Sequence, residues 1–192
     1  MGGSPKKAAL GSLIELESCI TLKHSRCWNP KSKLSTKREL GIGFGQITKA
    51  YKQDGSIRFD ALKELRIRHK NELVELTWES IENRPDLQLR AVVLKSRDNY
   101  IYYKNKNVSS EAALHFGDAA YNGGIGGLDK ERRACYMSKG CDANLWFGHV
   151  ENYCLKSKAI LYGNRSACDI NRHHVEEVML VRLNKYRKFL DQ

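Results

Sequence analysis

The chain has 192 residues, which is enough for one well-filled hydrophobic core and short for two, so the length predicts a single domain. Its 41% hydrophobic and 29% charged residues are an ordinary globular balance that argues against extensive disorder. The formal net charge of +11 predicts an anionic partner, such as nucleic acid, a bacterial wall polymer or an anionic envelope surface.

No apolar run approaches the roughly 18 residues that a membrane-spanning helix needs, and the opening Met-Gly-Gly-Ser-Pro-Lys-Lys lacks the core of a signal peptide. We therefore expect a protein that is made in the cytoplasm without a signal of its own. We also expect residues 1–8 to be a flexible basic segment and residues 9–192 to form the domain.

The first predicted element is a helix over residues 7–20. One of its faces has an apolar stripe at helical spacing, formed by Leu10, Leu13 and Ile14, and Glu17 falls on the same stripe. Glu15 lies off this stripe. A carboxyl group among aliphatic side chains loses hydration, which raises its pKa and can keep it protonated near neutral pH as a general acid. Glu17 is therefore the candidate catalytic acid, although a position at the edge of the stripe would let it reach solvent.

A glycine-rich segment follows, in which Gly41, Gly43 and Gly45 alternate with larger residues ahead of Gln46. Bare backbone at these positions allows close approach of a ligand, but glycines in such a pattern more often form a turn or a bulge. Any strands are expected to be short and to lie near residues 42–48. A turn centred on Asp54-Gly55 follows.

The rest of the chain has mainly helical periodicity. Asp60 is expected to cap a helix that runs on toward Trp78 with one break, and Pro85 to begin a helix that runs toward Tyr100. After a loop at residues 104–107, Ser109 or Ser110 should cap a helix that ends at Asn122-Gly123-Gly124. Further helices are predicted over residues 128–137, 143–153 and 169–190.

Six cysteines occur without any Cys-x-x-Cys pair: Cys19, Cys27, Cys135, Cys141, Cys154 and Cys168. Buried free thiols are the favoured interpretation, ahead of disulfides or a metal site, for a chain made in a reducing compartment. A zinc site would need His149, His173 or His174, and their spacing matches no standard zinc motif. We expect neither a metal nor another cofactor.

Three short motifs follow one another along the chain: Glu17-Ser18, Gly43-Phe44-Gly45-Gln46 and Ala120-Tyr121-Asn122-Gly123-Gly124. Their order resembles that of the soluble lytic transglycosylase and goose-type lysozyme family, in a form similar to small bacteriophage endolysins. That family has a catalytic Glu followed by Ser, then a Gly-x-x-Gln turn, then Ala-Tyr-Asn before a small residue. Phe44-Gly45 stands where the family usually has Leu-Met. The resemblance predicts a mainly α, single lysozyme-like domain with a small β or turn element near residues 42–48.

The resemblance implies cleavage of the β-1,4 bond between N-acetylmuramic acid and N-acetylglucosamine in peptidoglycan. Glu17 would give its proton to the glycosidic oxygen, and the muramic sugar's own 6-hydroxyl would attack to give a 1,6-anhydro product, so no second carboxylate is required. The candidate substrate-binding residues are Ser18, Gln46, Tyr121 and Asn122. Asn122 is also expected to fix the turn at the end of its helix.

Several alternatives stay open. Glu39 could act as a second carboxylate that positions a water molecule, as in a hydrolytic muramidase, or could form a surface ion pair with Arg38 or a lysine. A nucleic-acid binder is suggested by the charge and by the aromatic residues of the segment 99–104, and a wall-binding module without chemistry is a third class. The favoured interpretation is a monomeric endolysin that acts on peptidoglycan at the cell wall, without specific nucleic-acid binding.

Overall fold

A computed structural model describes residues 6–19 and 27–190. It is mainly α-helical, with 54% helix, 12% strand and a small antiparallel sheet, which confirms the predicted class. In chain order, the helices and strands are α1 (Lys7–Ser18), β1 (Lys33–Ser35), β2 (Glu39–Ile42), β3 (Ile47–Tyr51), β4 (Ile57–Asp60), α2 (Ala61–Arg68), α3 (Pro85–Lys104), α4 (Ser110–Gly123), α5 (Ile125–Tyr136), β5 (Ile160–Tyr162), β6 (Arg165–Ser166), α6 (Ala167–Glu176) and α7 (Leu183–Leu190).

The chain divides into two compact units. Residues 13–95 form the first, called the sheet unit below, and residues 1–12 with 96–192 form the second, called the helical unit. None of the helices in the part of the chain that the structure describes is long and apolar enough to cross a membrane.

The sheet unit contains a four-stranded antiparallel sheet in the order β1-β2-β3-β4. The glycine-rich segment forms the turn that joins β2 to β3, and the predicted Asp54-Gly55 turn joins β3 to β4, where Gly55 has a φ of +81°. The sheet is larger than the element predicted near residues 42–48. Most side chains of β1 and β4 are exposed, so neither strand has the alternation of buried and exposed residues that would reveal it.

Asp60 caps α2 as predicted, because its side chain accepts a hydrogen bond from the backbone N–H of Lys63. The helix ends at Arg68 instead of continuing toward Trp78. Turns follow, and they bury Leu73 and Leu76 in the core. Buried leucines in a well-anchored loop can mimic helical spacing, which explains the error. The core of the sheet unit consists of Ile42, Ile47, Ala61, Leu62, Leu65, Leu73, Leu76, Ile81, Leu87, Ala91 and Leu94.

In the helical unit, α4 has both of its predicted ends. The Ser109 side chain accepts from the backbone N–H of Ala112, and Gly124 closes the helix with a φ of +80°. Helix α4 packs against α5 and α6, and a buried contact of 3.0 Å joins Asp118 of α4 to His174 of α6.

The helix predicted over residues 143–153 is absent, and only the short 3₁₀ turn Val150–Asn152 forms there. Gly148 has a φ of +76°, which breaks helical geometry, and its backbone N–H donates to the Glu151 carboxylate. The buried Trp146 anchors these turns. The prediction also missed the β5–β6 hairpin, whose Gly163-Asn164 turn has positive φ at both residues.

The predicted C-terminal helix is confirmed as a continuous helical stretch over residues 167–190, although residues Glu177–Arg182 between α6 and α7 are π-helical. Ser166 and Asp169 form a reciprocal capping box at its start. Helix α7 is docked, because Leu183 is buried and Gly11 of α1 leaves room for the Tyr186 ring.

The expectation of buried free thiols is wrong, since all six cysteines are paired, as Cys19–Cys27, Cys135–Cys141 and Cys154–Cys168. Sequence spacing could not reveal this, because six cysteines allow 15 pairings. At the N-terminus, residues 1–8 were expected to be flexible. Residues 1–5 lie outside the described residues, whereas Lys7 and the buried Ala8 begin α1. Ile20, predicted to end that helix, also lies outside them.

We expect removal of the Cys154–Cys168 disulfide, by a C154S/C168S double variant, to destabilise the protein. The disulfide closes a loop with a sequence separation of 14, and chain entropy predicts a loss of about 3 kcal/mol for such a loop. Urea denaturation would measure the difference in unfolding free energy. Thiol titration of the denatured, unreduced wild type should find no reactive thiol, and six reactive thiols would contradict the pairing.

Candidate functional site

Glu17 lies in the last turn of α1 and is partly exposed, whereas Glu15 is the buried carboxylate, with 2% of its surface exposed. The predicted apolar stripe is therefore not the most buried face of this helix. Two serines explain the difference, because Ser12 and Ser18 donate their hydroxyls back to the carbonyls of Ala8 and Ile14. A serine satisfied in this way can be buried, although its hydroxyl counts as polar in a periodicity pattern.

Ser32 connects the first two motifs within the sheet unit. Its hydroxyl donates to the Ser18 carbonyl at 2.9 Å. The Ser32 carbonyl accepts from the backbone N–H of Gly43 at 2.7 Å and from Gln46 Nε2 at 3.3 Å. The end of α1 and the glycine-rich turn are thus held together by one residue, and Ser32 was not among the predicted site residues.

The Ser18 side chain is occupied by the protein itself. It is fully buried, donates to the Ile14 carbonyl and accepts from the backbone N–H of Trp28 at 2.8 Å. Ser18 therefore fixes the end of α1 and the chain at Trp28. Because its hydroxyl already donates one hydrogen bond and accepts another within the protein, nothing in this geometry supports the predicted role of Ser18 in substrate binding.

Gln46 has a positive φ of 43°, which is a strained backbone conformation for a residue with a side chain. Its Nε2 donates to the carbonyls of Ser32 and Gly43, so both of its amide hydrogens are used. Gly41 leaves room for this side chain, since a Cβ there would lie 2.7 Å from Gln46 Oε1. Among the described residues, Oε1 has no hydrogen-bond partner, so Gln46 can offer a ligand an acceptor and no donor in this conformation.

Gly43 is fixed by Gln88, a fully buried side chain on α3. Gln88 Oε1 accepts from the backbone N–H of Phe44 at 3.0 Å, and its Nε2 donates to the carbonyls of Pro30 and Ile81. Gly43 has a φ of +80°, and a Cβ on it would overlap the Gln88 amide. The first glycine of the turn is therefore required both by its conformation and by the space that Gln88 occupies.

Trp28 lies beside this turn, with 40% of its surface exposed. Its ring packs edge-on against Phe44, with 6.3 Å between the ring centroids. An exposed indole that is held by a buried neighbour presents a flat apolar face, which suits the apolar face of a sugar ring.

Lys95 of α3 is a charged residue near Glu17 that sequence reasoning missed. Burial lowers the pKa of Lys95 to about 8, and the negative charge of Glu17 opposes this effect. Lys95 could have been recognised from the sequence in the same way as Glu17, as a charged residue at helical spacing on an apolar face. Lys95 lies seven residues after Gln88 and four after Ala91, on the buried face of α3.

Glu39, the candidate second carboxylate, begins β2 and pairs with Ala50 of β3. The glycine-rich turn follows the other end of this strand, after Ile42. Three residues of strand separate the Cα atoms of Glu39 and Ile42 by about 10 Å. Glu39 therefore lies away from the turn, although its place in the sequence had suggested a position beside it.

In the helical unit, the third motif forms the end of α4. Tyr121 is buried and Asn122 is exposed. Asn171 of α6 donates its amide to the Ala119 carbonyl at 2.9 Å and to Asn122 Oδ1 at 3.1 Å. Asn122 therefore fixes the helix end, as expected, through a partner that the sequence did not indicate.

A buried ion-pair network supports Asn171. Glu131 of α5 is fully buried and contacts Lys156 and Arg172, each at 2.9 Å. Arg172 in turn donates to Asn171 Oδ1 at 3.0 Å. A Cβ on Gly123 would lie 2.6 Å from Lys156 Cε, so the glycine after Asn122 makes room for this lysine. Glu131 Oε1 accepts from Lys156 Nζ and from the backbone N–H of Leu155, whereas Oε2 contacts Arg172 and accepts no hydrogen bond within the described residues.

No cluster of three or more His, Cys, Asp or Glu suited to a metal ion occurs within residues 6–19 and 27–190. The segment 99–104, which suggested nucleic-acid stacking, lies in α3 with Tyr100 and Tyr103 buried. Tyr102 is partly buried and donates its hydroxyl to Asp129. Tyr100 and Tyr103 thus pack in the protein, and Tyr102 is the partly exposed ring of the three, with Lys106 Nζ 4.6 Å from its centre.

We expect Gly43→Ala to destabilise the protein more than Gly55→Ala. Both glycines have a φ near +80°, so alanine is strained at either position, by about 1 kcal/mol. Only Gly43 has a neighbour in the way of a Cβ, which should add about 1–3 kcal/mol of overpacking. Urea denaturation of the two variants would separate the effects, and equal losses would show that Gln88 does not constrain the turn.

We expect Lys95→Met to stabilise the protein most below pH 8. The folded-state pKa of Lys95, about 8, is below its ordinary value of 10.5, so the folded protein holds this proton less tightly than the unfolded chain. Wild-type stability should therefore rise between pH 8 and 10.5 relative to the variant, and the difference should then level off. Unfolding free energies across this range, with the exposed Lys63→Met as control, would test it. A difference that does not change with pH would contradict the burial of the ammonium group.

Comparison with known proteins returned no match: no family model matches the chain, and no curated protein or solved structure does. The chemistry that can be assigned to these residues therefore rests on their own geometry and on the order of the three motifs.

Proposed function

We propose that this protein is a peptidoglycan-cleaving enzyme that acts on the β-1,4 bond between N-acetylmuramic acid and N-acetylglucosamine, as a lytic transglycosylase that leaves a 1,6-anhydro end. The observation that supports it best is the Ser32 bridge. It joins the Glu17-Ser18 end of α1 to the turn that contains Gln46, two segments separated by more than twenty residues of sequence. Random matches to two short motifs would have no reason to meet in the fold.

In the proposed mechanism, Glu17 is the general acid. Its partly exposed carboxyl protonates the glycosidic oxygen as the bond to the muramic sugar breaks through an oxocarbenium-like transition state. The 6-hydroxyl of the same sugar then attacks its own anomeric carbon and returns a proton to the Glu17 carboxylate. The exposed ring of Trp28 offers a stacking face, and Gln46 Oε1 offers an acceptor for a sugar hydroxyl or amide.

Tyr121 and Asn122 belong to the third motif, whose position is fixed by contacts that do not involve the Ser32 bridge. The Glu131 network fixes the helix end on which they lie. Tyr121, whose side chain is buried, stays a predicted substrate contact on the order of the motifs alone, and Asn122 acts mainly through the turn that Asn171 holds. Glu39 has no part in the chemistry, because β2 carries it away from the Gly43–Gln46 turn, which makes the hydrolytic muramidase the weaker of the two mechanisms.

The pairing of all six cysteines supports action outside the cytoplasm, since disulfides persist in oxidising compartments such as the bacterial periplasm. The net charge of +11 favours approach to an anionic wall or envelope surface. The nucleic-acid alternative loses part of its support, because two of the three tyrosine rings of α3, Tyr100 and Tyr103, are buried in the helical unit.

The test is digestion of purified peptidoglycan followed by mass spectrometry of the released muropeptides. Wild type should release anhydro products, which are lighter by one water than hydrolytic ones. Glu17→Gln should lower the rate by about 10²-fold or more, because general acid catalysis contributes on that scale. The melting temperature of the variant should stay near that of wild type.

Glu39→Gln is the matched control, since it removes a carboxylate from the same unit. It should leave the anhydro product and its rate nearly unchanged. Near-normal release by Glu17→Gln would refute the assignment of the acid. Reducing-end products that disappear in Glu39→Gln would favour the muramidase, and tight wall binding by wild type without any product would favour a non-catalytic wall-binding module.

A further inference from the structure

An open cleft of about 690 Å³ lies entirely within the helical unit. One side is the second half of α5, from Asp129 to Tyr136, and the other is the segment 141–144, with Lys106 at the margin. Its volume is in the range of sites that take small ligands. None of the residues assigned to catalysis or substrate contact lines it.

Arg132, which lines this cleft, is held in place by the protein. Its Nε donates to the Ala143 carbonyl at 2.9 Å and its Nη2 to Asn144 Oδ1 at 3.3 Å. The guanidinium carbon lies 4.8 Å from the centre of the buried Phe116 ring, which fixes the plane of the group. Among the described residues, Nη1 has no partner, so a preorganised guanidinium retains donors for a ligand.

Arg133 and Tyr136 complete one side of the cleft with groups that the protein does not use. Neither side chain has a hydrogen bond or ion pair within the described part of the chain, and Tyr136 is 79% exposed. The Cys135–Cys141 disulfide, whose Cys135 is fully buried, ties the end of α5 to the opposite side. The spacing between the two sides is therefore set before a ligand arrives, which lowers the entropic cost of binding.

The cleft contains both positively and negatively charged side chains. Lys106 pairs with Asp129 at 2.9 Å, and that hydrogen bond raises the pKa of Lys106, which keeps it charged. Asp142 accepts from the backbone N–H of Asn144 and has no cation as partner among the described residues. Three cations thus face two carboxylates, an excess of one positive charge.

This combination selects a class of ligand. Guanidinium groups bind a carboxylate with two parallel hydrogen bonds, and Asp142 Oδ2 and the amide of Asn144 can bind hydroxyls. The exposed Tyr136 ring offers an apolar face to a pyranose ring. A run of closely spaced phosphates fits less well, because Asp129 and Asp142 would repel it.

We infer that this cleft is a binding site for acidic saccharides, in which Arg133 with Arg132 Nη1 holds the carboxylate and Tyr136 stacks on the sugar ring. The lining of the cleft includes none of the residues proposed for catalysis, and its test measures binding alone. A failure of the proposed enzymatic function would leave it standing.

The experiment uses two sugars that differ by one group. N-acetylmuramic acid has a lactyl carboxylate that N-acetylglucosamine lacks, and NMR titration of the full chain would measure both affinities. N-acetylmuramic acid should bind at least about tenfold tighter, the factor expected for one charge-assisted hydrogen bond. Arg133→Ala and Tyr136→Ala should each weaken its binding several-fold. Arg132 is left intact, because it packs on Phe116.

Matched controls are Arg97→Ala and Phe189→Ala, which remove an exposed arginine and an exposed aromatic ring of the same unit outside the cleft. Both should bind N-acetylmuramic acid like wild type. Equal affinity for the two sugars, or unchanged binding in Arg133→Ala and Tyr136→Ala, would overturn the proposal. So would a short single-stranded DNA that binds more tightly than the acidic sugar and loses affinity in the same two variants.

Discussion

The buried amide of Gln88 is the constraint on which the candidate site in the sheet unit depends. It hydrogen-bonds the backbone of three segments that are far apart in sequence, at Pro30, Phe44 and Ile81. The buried backbone N–H of Phe44, left unpaired, would cost about 1–3 kcal/mol. One side chain therefore fixes the position of the glycine-rich turn relative to α3, and the Ser32 bridge extends this order to the end of α1.

The same principle operates in the helical unit with charges in place of an amide. Glu131 has no exposed surface, and its two cations link it to the backbone of the segment after the 3₁₀ turn and to Asn171. Buried ion pairs contribute little net stability, because desolvation offsets their attraction, but removal of one partner leaves an unpaired charge in the core. Such a network favours one arrangement of the α4 end over its alternatives, which is what a residue that positions a ligand requires.

The sequence predicted most helices and the capping residues, since Asp60, Ser109 and Gly124 act through local hydrogen bonds that a short window contains. It did not predict Ser32 or Asn171, whose partners in or next to the motifs lie 11 to 14 and 49 to 52 residues away. Long-range hydrogen bonds leave no periodic pattern in one sequence. The glycines of the motifs could be recognised by type, but the side chains that require them could not.

The error over α1 has a similar origin. The apolar spacing selected the stripe of Leu10, Leu13 and Ile14 and left the polar Ser12 and Ser18 out of it, although both serines are fully buried. Their hydroxyls are satisfied within the helix, so the face they occupy is buried together with Glu15. Glu17 remains the better candidate for chemistry because a general acid must reach its substrate, and a fully buried carboxyl cannot.

The three disulfides join cysteines that are consecutive in sequence, first to second, third to fourth and fifth to sixth. This order matters for a chain that is oxidised while it emerges N-terminus first. Each ring can close as soon as its second cysteine emerges, before any later thiol is present to compete. A simple oxidase that joins thiols in order of appearance would thus yield the native pairing among the 15 that six cysteines allow, without a reshuffling isomerase.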